Sequence, residues 1–301
     1  MNSREGESDT TDGYLNVEQV KNEAELNIVT DCSYELPEVD RMSSDTDVKL
    51  DSYLEAIQNH IKSANYDSAE NKLFEIRELM RTKKIINISN DVDLKLQKFM
   101  AITFDHKNNY IQAARCYYIL SMSPMIEEQE SLHLLTDAIK CTVLSGFGVA
   151  RSKLISDLFK NEKAKRSPLY SIVDSFFKKR LILLPKFENY HNALYDHQQN
   201  ARTTSGISLF QYNIIEHNIL CGKSLASELP FEMMYPWLNI SVDQLEKVAQ
   251  ESIDRGILNA YIESGQLHYS KDDSGYILAQ DIYIRMFDPS HTSRSSSSSA
   301  C

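Results

Sequence analysis

A chain of 301 residues is long enough for two compact units, and 42% apolar content permits a sizeable core. No apolar run approaches the ~18 residues of a membrane span. Met1-Asn2-Ser3-Arg4-Glu5 has no secretory core, and the scattered cysteines Cys32, Cys116, Cys141, Cys221 and Cys301 form no C-x-x-C pair, which argues against a disulfide framework or zinc knuckle and for a reducing intracellular compartment. The net charge of −11 sits at one end: residues 1–47 hold 13 acidic and 3 basic side chains, the other residues 30 and 29. That end reads as an acidic disordered tail, because few periodic apolar residues accompany the charge.

From 48 to 204 the apolar period is helical. Leu50, Leu54, Ile57 and Ile61 form one stripe, and Ala69, Leu73, Ile76 and Met80 a second, joined by the cap-forming link 63–67. Leu96, Phe99 and Ile102 predict a third helix; Tyr110, Ala113, Ala114, Tyr117 and Leu120 predict a fourth. Leu132, Leu135, Ala138, Ile139 and Val143 follow, ending at Gly146-Phe147-Gly148. Lacking a G-x-x-x-x-G-K-[ST] pattern and a preceding strand, these glycines read as a helix–helix turn and not as a phosphate loop. Two further helices are predicted around Leu154–Phe159 and Leu169–Phe177. Pro168 is placed at the start of the second, and Pro185 interrupts the chain. Phe187, Tyr190, Leu194 and Tyr195 predict one more. Small alanines facing aromatics on short antiparallel helices indicate a helical-repeat, TPR-like solenoid.

The stretch 205–275 reads as a winged helix. Ile207, Phe210, Ile214, Ile219 and Leu220 mark a long first helix. The run 228–238 marks a second, short or kinked because Pro236 falls inside it. Ser241 and Gln244 form a capping box for a third, whose apolar side carries Val242, Leu245, Val248, Ala249 and Ile253 and which stops at Gly256. Leu258, Ala260 and Ile262 then alternate with Asn259, Tyr261 and Glu263. A turn at Ser264-Gly265 leads into a returning strand at Leu267–Tyr269, completing a small β-hairpin. A short helix over 276–288 and a Ser-rich disordered tail over 289–301 close the chain.

No catalytic constellation is evident, and no cofactor or metal is indicated. H-E-x-x-H, G-x-S-x-G and the Gly-rich dinucleotide fingerprint are all missing. His191 and His197 are six apart, a spacing that separates them around a helix, so they read as solvent-facing or capping residues. His217 reads as a hydrogen-bonded structural histidine beside Glu216, since catalysis needs a second organised group. Cys116, Cys141 and Cys221 fall on apolar faces and read as buried, unactivated thiols. Sequence-specific DNA binding is disfavoured on electrostatic grounds: the third winged-helix helix sets Asp243, Glu246, Glu251 and Asp254 against Lys247 and Arg255, and the hairpin 257–269 has no arginine or lysine.

Repeats running into a winged helix resemble the PCI family, whose members include subunits of the proteasome lid, of the COP9 signalosome and of translation initiation factor three. Ala113-Ala114-Arg115-Cys116-Tyr117-Tyr118-Ile119-Leu120 resembles the family's repeat helix. The run Ala138-Ile139-Lys140-Cys141-Thr142-Val143-Leu144, with Arg151-Ser152-Lys153-Leu154 and Leu158-Phe159-Lys160-Asn161-Glu162-Lys163, is similar to the signalosome branch. Ile215-Glu216-His217-Asn218-Ile219-Leu220, Pro230-Phe231-Glu232 and Leu245-Glu246-Lys247-Val248-Ala249 continue it, so that the PCI module covers about 110–275. Pro236 departs from the family pattern, as does the shortness of the last helix.

This resemblance implies a non-catalytic scaffold in cytoplasm and nucleus, in a hetero-oligomer with other PCI subunits, a metalloprotease-fold deneddylase subunit and cullin-RING ligases as partners. It implies no membrane and makes nucleic acid an unfavoured partner. A proteasome-lid subunit and a nucleic-acid-binding adaptor are the alternatives; the latter would use Lys163, Lys165 and Arg166. The outward hairpin residues Asn259, Tyr261, Glu263 and His268 are the candidate protein contacts, because a wing offers strand edges for a neighbouring subunit.

Overall fold

A computed structural model describes residues 44–82, 89–238 and 240–270. Residues 1–43, the predicted helix over 276–288 and the Ser-rich tail lie outside the described residues. The described part is helical up to a small carboxy-terminal sheet, in agreement with the predicted solenoid and winged helix.

Helices α1 (Ser44–Lys62), α2 (Tyr66–Thr82), α3 (Asn90–His106), α4 (Tyr110–Ser121), α5 (Glu128–Leu144) and α6 (Val149–Lys160) succeed one another across short links. Helix α1 opens inside the stretch read as acidic tail. Local chemistry explains these boundaries. The Asn65 carboxamide accepts from the Ser68 N–H at 3.2 Å, and Ser89 Oγ accepts from the Val92 N–H at 3.3 Å, so two helix starts are capped by their own sequence. Ala64 and Asn108 take positive φ at the turns. Helix α3 packs against both α2 and α4. Its buried line is Leu96, Met100 and Thr103, with the predicted Phe99 and Ile102 half-buried beside it.

After α6 the chain passes a 3-10 turn, Ala164–Arg166, then α7 (Tyr170–Phe177), α8 (Leu184–Ala193) and α9 (Asp196–Gln199). Pro185 opens α8 instead of interrupting the chain, since at a first helical position its missing N–H is not required. Pro168 stands in the turn before α7. The single helix expected through Tyr195 is broken, because Leu194 and Tyr195 are extended.

The winged helix comprises α10 (Leu209–Gly222), β1 (Glu228–Pro230), α11 (Phe231–Leu238), α12 (Val242–Asp254), β2 (Ala260–Glu263) and β3 (Gln266–Tyr269). The Ser241–Gln244 capping box forms in both directions, and Gly256 ends α12 with φ 67°. Ser264 and Gly265 both have positive φ, as a type I′ hairpin turn requires. The sheet is antiparallel in the order β1-β3-β2. Strand β1 lies where the sequence reading began a helix; three residues are too few to show a period, and Pro230 is tolerated at its edge position.

Candidate docking face of the winged helix

Helix α10 fixes the winged helix to the repeats. It is buried on nearly every side, and Asn213, His217 and Asn218 are spent on backbone groups of the preceding helix α5 and the link before α8. Asn213 Nδ2 donates to the carbonyls of Val143 at 3.1 Å and Leu144 at 2.8 Å, which serves the carbonyl-rich end of α5. Asn218 bonds both backbone groups of Ile182. His217 Nε2–H donates to the Arg180 carbonyl at 2.9 Å. Burial pushes the His217 pKa down to about 4, against the pull of that carbonyl, so the ring is neutral near pH 7. The structural reading of His217 therefore holds.

Helix α12 is tied to α10 by charge. Glu216, 1% exposed, accepts from Arg255 and from Ser252 Oγ at 3.1 Å, while Arg255 also donates to Tyr212 Oη at 2.6 Å. The sheet is tied to α10 by close approach. A β-carbon on Gly222 would stand 2.5 Å from Tyr269 Oη and 2.9 Å from Leu229 Cδ2, and Tyr269 Oη donates to the Ile219 carbonyl at 2.7 Å. Only glycine permits that contact.

These anchors set which side of the sheet faces out. Leu229, Leu267 and Ile262 are in register and turn inward, with Leu229 and Leu267 fully buried. The alternate residues Glu228, His268 and Tyr261 form the next transverse row, facing out. Tyr261 is 56% exposed; its ring stacks on His268 at 4.9 Å and 9°. His268 Nδ1 lies 3.6 Å from Glu228 Oε1. Glu263, exposed, faces Gln266 on the same side, and Asn259 precedes β2 with its carbonyl accepting from the Ser270 N–H at 3.0 Å. Three predicted contacts, Tyr261, Glu263 and His268, thus share one face, with Asn259 at its end. Sequence reasoning missed Glu228, which joins the face only through β1.

Elsewhere the predicted site residues separate. His197 is neither solvent-facing nor a cap. Its Nε2–H donates to buried Asp105 at 3.0 Å and its ring stacks on His106 at 3.9 Å, whereas the His191 ring lies against Phe187 and Phe210. Cys116, Cys141 and Cys221 are buried thiols, and burial pushes Cys116 and Cys221 up to about 12. Much of the positive charge of the stretches 160–166 and 178–180 is paired: Lys165 with Glu162 at 2.6 Å, Arg166 with Glu128, and Lys178 and Arg180 with Asp174. Among the described residues no three His, Cys, Asp or Glu side chains are grouped as a metal ion would need. No helix among them is long and apolar enough to cross a membrane.

Short helices in succession, leading into a winged helix with a small three-stranded sheet, resemble the PCI type of architecture. Comparison with known proteins gives the particular relatives. The chain is 29% identical over 217 residues to COP9 signalosome complex subunit 4 of Drosophila melanogaster, which covers 71% of this chain and 52% of that protein. It is 28% identical over 219 residues to the subunit of the same name from Neurospora crassa, and 28% over 196 residues to that of Caenorhabditis elegans. The chain spans about half the length of the curated relatives it matches. No family model matches it.

Proposed function

We propose that this chain is a non-catalytic scaffold subunit of a PCI assembly, the COP9 signalosome. In this reading it positions the metalloprotease-fold deneddylase subunit and cullin-RING ligases for cullin deneddylation, in cytoplasm and nucleus. The observation that carries the proposal is the similarity to subunit 4 proteins across 71% of the chain. The sheet supports it physically: among the described residues β2 is an edge strand, the kind of element to which a neighbouring subunit's strand can add, and it lies next to the outward pair Tyr261 and His268.

Pairing of Lys165 and Arg166 with carboxylates favours a protein partner over a polynucleotide, since a paired cation releases fewer counterions on meeting phosphate. The test is purification of the tagged chain from its own cells under native conditions. Co-elution with several PCI subunits and a metalloprotease-fold subunit, in a fraction that removes the modifier from cullins, is the expected result. Recovery only as a monomer, or with proteasome-lid subunits, would refute it.

A further inference from the structure

From the edge of β2, which no strand among the described residues covers, and the face beside it we infer a partner of stated chemistry: an extended, basic segment of another chain that lays an arginine against Tyr261 and Glu263. The inference rests on the wing-docking reading above and names what docks. Because the sheet order is β1-β3-β2, an incoming strand would pair along Ala260–Glu263 and place one residue opposite Tyr261. The row across the sheet already runs Glu228, His268, Tyr261. His268 stacks on one face of the Tyr261 ring, and Tyr261, on the edge strand, stays 56% exposed. A planar guanidinium is the side chain that continues such a stack, while its N–H fork reaches the exposed carboxylate of Glu263 two residues on. A lysine would offer a point charge without the stacking plane.

The surrounding charge agrees. Residues 205–270 hold eight acidic and three basic side chains, and the hairpin holds no arginine or lysine. Arg255 is engaged by Glu216 and Tyr212, and Lys247 Nζ reaches the Ser205 carbonyl at 3.4 Å. On the sheet itself the charged side chains are Glu228 and Glu263, with no lysine or arginine in its three strands, a balance that draws a cationic segment. Residues 48–204 carry the opposite balance, 23 basic against 18 acidic, so a second copy of this chain is the competing occupant.

The experiment uses the full chain in its native assembly. Hydrogen exchange at 260–263 is compared between assembled and released chain, and p-benzoylphenylalanine in place of Tyr261 is photo-cross-linked to its neighbour. Protection of 260–263, with a cross-link to another chain's segment containing arginine, is the expected result. Glu263→Gln, or Arg→Gln at that partner position, should each weaken binding of the purified partner roughly tenfold, the two together no more than either alone. Tyr261→Leu should weaken it roughly threefold. Unchanged urea midpoints confirm that these exposed substitutions leave the fold intact. Protection with a cross-linked segment lacking arginine, with a second copy of this chain, or with unchanged affinity of Glu263→Gln overturns the arginine and leaves wing docking standing. Absence of protection removes both.

Discussion

Asn218 grips the backbone of Ile182 from two sides: the Ile182 N–H donates to Oδ1 at 2.9 Å, and Nδ2 donates to the Ile182 carbonyl at 2.8 Å. Both residues are 0% exposed, so water does not replace the carboxamide. Asn218→Ala orphans one donor and one acceptor. It should cost about 2–6 kcal/mol, at ~1–3 kcal/mol for each orphan, read as a lower midpoint in urea unfolding. Asn218→Asp should cost at least as much, since it loses the donor and buries a charge. A change below ~0.5 kcal/mol would mean that this bond does not hold the two halves together.

Acid sensitivity follows from His217. Burial lowers its pKa from the ordinary 6.5 to about 4. The unfolded chain therefore binds the proton first as pH falls, and the stability associated with the neutral ring is complete above pH ~6.5 and is lost progressively toward pH ~4. The loss amounts to about 3 kcal/mol, at ~1.4 kcal/mol per pH unit. Unfolding free energies measured from pH 7 to pH 4 should show this slope, and His217→Gln, which keeps a donor for the Arg180 carbonyl, should remove it. An unaltered slope in that variant would assign acid lability to other groups.

Gly222 is predicted to tolerate no side chain while Tyr269 keeps its hydroxyl. The methyl of Gly222→Ala meets Tyr269 Oη and Leu229 Cδ2, which should cost about 1–3 kcal/mol as overpacking. Tyr269→Phe alone forfeits the bond to the Ile219 carbonyl. Combined, the two should destabilise by less than the sum of the singles, because the missing hydroxyl makes room for the methyl. Thermal midpoints of the four proteins give the coupling; strict additivity would place the clash elsewhere.

Arg255→Ala strands the Glu216 carboxylate, of which only the bond from Ser252 would remain. A loss of about 3 kcal/mol is expected, moderated because Arg255 itself is partly exposed. Adding Glu216→Gln should recover more than half of it, since a neutral amide needs no counter-charge. If the double variant is as unstable as Arg255→Ala, packing and not charge accounts for the role of Arg255.

The legible parts of the fold were those whose cause is local. The Ser241–Gln244 box, the stop at Gly256 and the Ser264-Gly265 turn are each settled by residues within four positions, and all three form. The outward set Tyr261, Glu263 and His268 was legible for the same reason, since strand alternation depends only on parity. Strand β1 was not, because Glu228 and Leu229 become strand only through β3, about forty residues later. The place of His197 was also hidden: its partner Asp105 lies 92 positions away, and the bond replaces the solvent-facing or capping position that its spacing implied.

The residue order by itself determined the repeats, the winged helix and the acidity of the wing, because periodicity, caps and charge are properties of short stretches. The tertiary structure alone decided that Glu228 lines the outer face, that α10 spends Asn213, His217 and Asn218 on its neighbours' backbone, and that α12 is charge-locked through Glu216. A buried polar group takes whichever partner the fold brings within about 3 Å, and sequence distance carries no information about that choice.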